Sequence, residues 1–313
     1  MTQTRPAAAG EARPAARPPR QRGSGLSERA LARVFVAPSL ALMALVALFP
    51  VLYAIVLSLF EYTRRQREGF AGLGNYTEAL GDDRFWSALW FTLVFTVTSV
   101  AAEFLIGLGF ALLMNQTFRG RGLTRAAILI PWVIPTVIAA QMWFFMFNVT
   151  PGFINTLFGL GDFNWLGQPG WATFAIVFAD VWKTAPFVAL LLLAGLQTIP
   201  AEMTESAMVD GAGRWQRLWY ITLPLLRPAI LVALLFRTVD ALRVYDLVAV
   251  MTGGAFDTES LSVLVQQYVV RTPDPGFGSA LSTLTFILIL GIGLLFVRAL
   301  GRDIAIGRGE EAR

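Results

Sequence analysis

Three stretches of this chain run for at least 20 positions without a charged residue: Val34–Phe60, Ala126–Val149 and Gly278–Val297. A backbone in hydrocarbon has no water to satisfy its N–H and C=O groups, so a segment that crosses a bilayer must be a helix or part of a closed barrel. About 20 predominantly apolar residues suffice for a helical crossing. Three further blocks reach that length with charges inside them. They are Phe85–Met114 with Glu103, Trp171–Leu196 with Asp180 and Lys183, and Pro228–Met251 with Arg237, Asp240, Arg243 and Asp246. The sequence therefore predicts an all-α, polytopic membrane protein with six transmembrane helices. Composition agrees, since 15% of the 313 residues are charged, against about 25% in soluble domains.

Basic residues set the orientation. Of 25 in the chain, seventeen lie in four segments: the tail up to Arg33, the loop of Arg119, Arg121 and Arg125, the segment of Arg214, Arg217 and Arg227, and the end from Arg298 onward. The alternate loops hold five: Arg64, Arg65, Arg67, Arg84 and Arg271. Lys and Arg concentrate on the cytoplasmic side. Both termini are thus expected in the cytoplasm of a bacterial or archaeal cell, and the Arg64–Arg67 cluster in the first outside loop is the exception. Residues 1–30, rich in Ala, Pro, Arg and Gly, read as a disordered basic tail. The apolar run after it exceeds the 7–15 residues of a cleaved signal core, so it reads as a retained first span, residues 31–60. An outside loop, 61–84, separates it from the core.

The chain has no Cys and no His. Disulfides, thiol nucleophiles, Cys/His zinc sites and His general bases are excluded. The net charge of +4 sits at the membrane edges, a topology signal rather than one for nucleic acid. No G-x-x-x-x-G-K-[ST] phosphate loop occurs, so the chain itself has no nucleotide cradle of that kind.

Between the fourth and fifth spans lies AEMTESAMVDGAGRWQRLWYITLPLLRP, Ala201–Pro228. Glu202 and Glu205 fall where a first helical turn favours carboxylates. Gly211 and Gly213 permit a sharp turn. Trp215, Leu218 and Trp219 recur at helical spacing, which predicts a second short amphipathic helix at the interface. Pro224 and Pro228 punctuate the start of the fifth span. Physics alone leaves two readings open: an interfacial hairpin with no partner, or a docking element.

The same residues resemble the EAA motif of ABC importer permeases, E-A-A, three residues, G, nine residues, I-x-L-P. Here it reads Glu205-Ser206-Ala207, three residues ending in Asp210, Gly211, nine residues opening with Ala212, then Ile221-Thr222-Leu223-Pro224. Ser206 replaces the first Ala, a small-for-small departure. LLFRTVDALRVYDLVAVMTGG, from Leu234, and VWKTAPFVALLLLAGLQTIP, ending at Pro200, are similar to stretches of the maltose and trehalose permease group, MalF-like and SugA-like subunits. The large outside insertion of enterobacterial maltose permeases is lacking. The resemblance implies the type I ABC importer permease fold over residues 85–300, with an added first span and a short cytoplasmic tail at 301–313. It implies that residues 201–224 form a cytoplasmic coupling segment. There Glu205, Ser206, Ala207, Asp210, Gly211 and Ala212 would meet a separate ABC ATPase dimer, while Ile221, Leu223 and Pro224 would hold the motif's shape. ATP and magnesium would belong to that ATPase, and this chain would carry no cofactor. A second homologous permease and an extracytoplasmic sugar-binding protein or lipoprotein would complete an importer of a disaccharide such as trehalose or maltose.

Charges inside spans are expensive and face a cavity or a partner. Arg237, Asp240, Arg243 and Asp246, three apart, are expected on one helical stripe, and Asp180–Lys183 as a similar i,i+3 pair. One reading is a polar wall for sugar hydroxyls; the other is internal salt bridges. The second suits Arg237–Asp240, taken as nearer the cytoplasmic end of the span. The first suits Arg243, Tyr245 and Asp246. Gln141 is a further polar candidate, Glu103 faces either a path or a basic partner, and Trp143, Phe144 and Trp182 offer faces for sugar stacking. Two other classes fit less well: an ion-coupled secondary transporter leaves the EAA segment unexplained, and an intramembrane enzyme lacks a catalytic set. An ABC permease for a non-sugar solute differs only in cargo.

Overall fold

The computed structural model describes residues 28–63, 66–150, 152–272 and 274–310. Most of the expected disordered tail, and Arg64 and Arg65, lie outside them. Glu28–Ala30 already belong to a helix. The described residues divide into two compact units, up to Pro50 and from Val51 onward.

The first unit holds α1 (Glu28–Met43) and a π-helical turn (Ala44–Leu48), and ends inside α2 (Phe49–Leu57). Its apolar side chains, Phe35, Leu40, Leu45 and Phe49 among them, are exposed, as a lipid-facing helix requires.

The second unit continues with a short hairpin, β1 (Phe60–Thr63) against β2 (Gln66–Phe70), in an otherwise helical architecture. A lone hairpin is marginal. Here α3 (Gly74–Gly81) pins it, because Asn75 donates to the carbonyls of Ser58 (2.8 Å) and Phe60 (3.0 Å). The membrane core follows: α4 (Asp83–Asn115), α5 (Arg121–Val133), α6 (Thr136–Phe147), the short α7 (Phe153–Phe158) and α8 (Trp171–Leu196). Next come α9 (Ala201–Val209) and α10 (Arg214–Arg217), the latter running through a π turn (Leu218–Thr222) into α11 (Leu223–Ala241). The chain ends with α12 (Asp246–Met251), α13 (Leu261–Gln266), a π turn (Gln267–Arg271) and α14 (Pro275–Glu310).

Among the described residues, five helices are long and apolar enough to cross a membrane, or six with the α5–α6 pair counted as one broken span. The span expected at 126–149 is a broken one, Arg121–Val133 and Thr136–Phe147, in which α5 and α6 meet at 92°. Proline is the cause. Ile134 precedes Pro135, and the proline ring disfavours helical geometry in the residue before it; Ile134 is extended, at φ −68° and ψ 130°. The fifth span also moves. It runs from Arg214 to Ala241 instead of 228–251, and Trp215 and Trp219 belong to its first turns rather than to a separate helix. Pro224 and Pro228 cannot donate to the carbonyls four residues back. The π turn just before Pro224 is a common accommodation of such a mismatch.

The spans pack through small residues, as helices in lipid do. A Cβ on Gly107 of α4 would stand 2.9 Å from Val188 Cβ of α8, and one on Gly195 of α8 would overlap Ala229 of α11. Around these contacts lie Met114, Leu192 and Leu226. A second apolar cluster joins Phe95, Trp143, Ile176, Leu247 and Val248 from α4, α6, α8 and α12.

Candidate functional site

Arg237 lies in the last turns of α11, next to the middle of α4 and α8. Its guanidinium meets both carboxylate oxygens of Glu103, through Nε to Oε2 and Nη2 to Oε1 (2.9 Å). Nη2 also reaches Asp180 Oδ2, and Nη1 donates to Asp240 Oδ2 at 3.0 Å. The Thr184 hydroxyl lies 2.6 Å from both Glu103 Oε1 and the Asp180 carbonyl. Arg237 and Glu103 are 2% and 0% exposed, whereas the side chain of Asp240 is 73% exposed. One cation thus ties three helices at a buried point and extends one arm to an open surface. Of the two readings of Glu103, the structure gives the ion pair.

Three expectations change. The charged stripe does not continue, because α11 ends at Ala241 and Leu242 caps it. Arg243 sits in the turn that follows, and Asp246 opens α12. Since the span begins at Arg214, Arg237 lies near its far end and not, as the sequence suggests, near its start. The Asp180–Lys183 pair is also not made. Asp180 turns to Arg237, and Lys183, 8% exposed, forms no ion pair among the described residues.

The break after α11 nevertheless gathers what the linear stripe would have spread. Asp180, Lys183, Arg237, Asp240, Arg243, Tyr245 and Asp246 all line one cavity of about 310 Å³. Thr184, Trp132 and Thr136 complete much of its wall, and reasoning from sequence alone misses them. Thr184 carries a readable signal, being one turn from Asp180; Trp132 and Thr136 reach the cavity only because of the Pro135 break. Gln141 is exposed on α6 and is not part of that wall. Trp143 is buried edge-on against Phe178 and Trp182, a packing role. Phe144 packs at the margin of the same cluster.

The segment after α8 forms a different kind of site. Helix α9 ends in a Schellman motif: Ala212 N–H donates to Ala207 C=O (2.9 Å) and Gly211 N–H to Met208 C=O (3.1 Å). That motif needs a left-handed residue at its centre, and Gly211 supplies it at φ +82°. Gly213 N–H then donates to Gln216 Oε1 at 2.8 Å, satisfying the start of α10. Ala207 is buried, while Glu205, Ser206, Asp210 and Gly211 are exposed and Ala212 is half-buried. Ile221 and Leu223 are half-buried in the following helix, and Pro224 is exposed at its start. Val209 is 88% and Trp215 74% exposed beside them. A capped helix–turn–helix edge therefore presents three carboxylates, Glu202, Glu205 and Asp210, amid exposed apolar groups.

A third polar contact lies at the opposite end of α4. Arg84 binds Glu259 bidentately, Nε to Oε2 and Nη2 to Oε1 both at 2.7 Å, and also contacts Gln267. In the sequence Arg84 is only one more basic residue of a loop, because a pair 175 positions apart leaves no local signal.

Long apolar spans around a charged cavity, with a capped helical edge on one end of the bundle, define a membrane permease. Residues 103–306 match the family described as binding-protein-dependent transport system inner membrane component, and the chain belongs to that family of ABC importer permeases. It is 43% identical over 277 residues to the trehalose/maltose transport system permease protein MalF of Thermococcus litoralis, covering 87% of this chain and 94% of that one. It is 42% identical over 281 residues to the trehalose transport system permease protein SugA of Mycobacterium tuberculosis, covering 89% and 91%. Among solved structures, a bacterial ABC transporter involved in import of the acidic polysaccharide alginate superposes with a TM-score of 0.74 at 22% identity, covering 87% of this chain and 95% of that one, which supports the shared fold. Like the permease subunits it resembles, the chain is a transport subunit and not an enzyme.

Proposed function

We propose that this chain forms half of the translocation path of an ATP-driven importer for a neutral disaccharide of the trehalose and maltose kind. The observation that carries the cargo reading is the cavity below α12. Its charged lining is balanced, Asp180, Asp240 and Asp246 against Lys183, Arg237 and Arg243. Sugar hydroxyls both donate and accept hydrogen bonds, so a mixed wall of carboxylates and cations suits them. A wall of one sign would suit an ion. The relatives named for trehalose and maltose support the same reading.

Around this chain we place a second homologous permease, an extracytoplasmic sugar-binding protein or lipoprotein, and a cytoplasmic ATPase dimer that holds ATP and magnesium. The basic-residue bias puts both termini and the α9–α10 edge in the cytoplasm. There Glu205 and Asp210 meet a basic surface of the ATPase, and Gly211 keeps the turn that presents them. Closure of the ATPases moves this edge. Because α10 and α11 are one continuous helical run, the movement reaches the Arg237 cluster and the cavity.

The test is ATPase activity of the reconstituted complex, with its binding protein, against a panel of disaccharides. Stimulation by trehalose, maltose or a relative is expected. Basal hydrolysis that no sugar stimulates would remove the sugar reading and leave an importer of another solute. Asp246→Asn should lower uptake while the complex still assembles. Loss of assembly instead would mark Asp246 as structural.

A further inference from the structure

A groove unrelated to the charged cavity runs between α4, α5 and α8. It encloses about 690 Å³, and its walls are apolar apart from Thr124, with Ile106, Leu113, Ile128, Phe178 and Trp182 among them. Its α5 wall follows one helical stripe, Thr124, Ile128 and Pro131, and Arg121 is the next member of that stripe, three residues before Thr124. The groove thus leads towards the loop of Arg119 and Arg121. Both arginines are exposed and neither forms an ion pair among the described residues. Nothing nearby in sequence neutralises them, since no Asp or Glu occurs between Glu103 and Asp162. The start of α5 adds to the positive field, with no side-chain cap and no acidic residue in its first turn, so its backbone dipole also favours an anion. Arg125 is occupied differently, donating to the Met114 carbonyl at 2.7 Å and fixing α5 to the end of α4.

We infer that this groove is a binding site for an anionic phospholipid, with the phosphate headgroup at Arg119, Arg121 and the start of α5, and an acyl chain between α4, α5 and α8. Basic pockets between membrane helices bind such headgroups. The apolar walls accept hydrocarbon at no polar cost. The site requires only that the chain spans a membrane, and it holds whatever solute the importer carries. Its occupant lies against α4 and α8, the two helices that supply Glu103 and Asp180 to the buried cluster.

The experiment uses the assembled transporter in phosphatidylcholine nanodiscs, titrated with phosphatidylglycerol bearing a photoactivatable acyl chain. Cross-linked peptides are then mapped. Labelling should fall on α4 and α8 residues of the groove and be competed by cardiolipin but not by further phosphatidylcholine. Arg119→Gln with Arg121→Gln should weaken labelling about 30-fold, at about one kcal/mol for each basic residue near a membrane surface. Ile106→Trp, which fills the groove, should abolish it. Equal labelling by the corresponding phosphatidylcholine probe, unchanged in the arginine double variant, would overturn the site and leave ordinary surrounding lipid. So would a photo-cross-linker at Ile106 that captures a helix of the second permease.

Discussion

The cluster around Arg237 and the edge around Glu205 both set charge in apolar surroundings, yet they are closed in opposite ways. Arg237 is enclosed and satisfied by groups of its own chain, Glu103 and Asp180 on two other helices. Glu205 is exposed and makes no hydrogen bond or ion pair among the described residues. A charge completed within the chain acts on folding and helix arrangement. A charge left open acts only through something that arrives. The two sites are therefore separable by experiment: the first reads out in stability, the second in coupling.

The sharpest way to break that contrast is Arg237→Ala. It would leave Glu103 and Asp180 buried without a cation, and removing one partner of a buried ion pair costs about 3–5 kcal/mol. We expect severe loss of assembled protein, measured by thermal unfolding of the detergent-solubilised complex. Restoring neutrality with Glu103→Gln and Asp180→Asn in the same background should recover much of the loss. Full stability of the single variant would show that the cluster is open to water and belongs with the exposed site.

Next in size is Gly107→Val. The added Cβ would meet Val188 Cβ at 2.9 Å and the Ala185 carbonyl at 3.1 Å, so α4 and α8 must part. Overpacking of this kind costs about 1–3 kcal/mol. At Gly109, two residues on, a Cβ would find no neighbour within 4 Å, and Gly109→Ala should be neutral or stabilising. Equal effects at the two glycines would show that helix propensity, not close approach, governs this interface.

How much of this is legible in the sequence follows the same division. The EAA segment is readable because the motif is carried by local spacing. Glu205, Gly211 and Pro224 are fixed relative to one another by 20 residues of chain, and the Schellman turn at Gly211 is a short-range event. The spans are readable as apolar blocks. Of the partners of Arg237 only Asp240, three residues on, is readable; Glu103 lies 134 positions away and only the packing of α4 on α11 brings it there. The straight stripe through Arg243 and Asp246 fails for a related reason. Helical spacing extrapolates a helix, and nothing in the periodicity of that apolar block announces that α11 stops at Ala241. Prolines are the readable warning elsewhere. Pro135 marks the 92° break, although the uncharged run around it invites a single span.

Gly211→Ala refines the open site. The residue holds φ +82° with free space around its Cβ position. The cost is conformational, about 1 kcal/mol for a left-handed residue with a side chain. We expect a small loss of stability and a larger loss of sugar-stimulated ATPase activity, because the turn presents Glu205 and Asp210. Gly211→Asn, which tolerates this conformation better, should retain more coupling than Gly211→Ala. The reverse order would mean that space for the ATPase surface, not backbone shape, is what Gly211 provides.

The smallest effect on stability, and the most informative, is expected from Glu205→Ala. An exposed side chain without a partner can change folding by no more than about 0.5 kcal/mol. Membrane insertion, thermal unfolding and co-purification of the second permease should match wild type. Uptake driven by ATP should nevertheless fall to background if, as proposed, the carboxylate acts across a contact with a separate ATPase. Lowered thermal stability would place Glu205 with Arg237, as a group its own fold depends on. Normal uptake would remove its coupling role, leaving Asp210 and the exposed Val209 and Trp215 to carry the docking, and would make the open site an apolar contact rather than an electrostatic one.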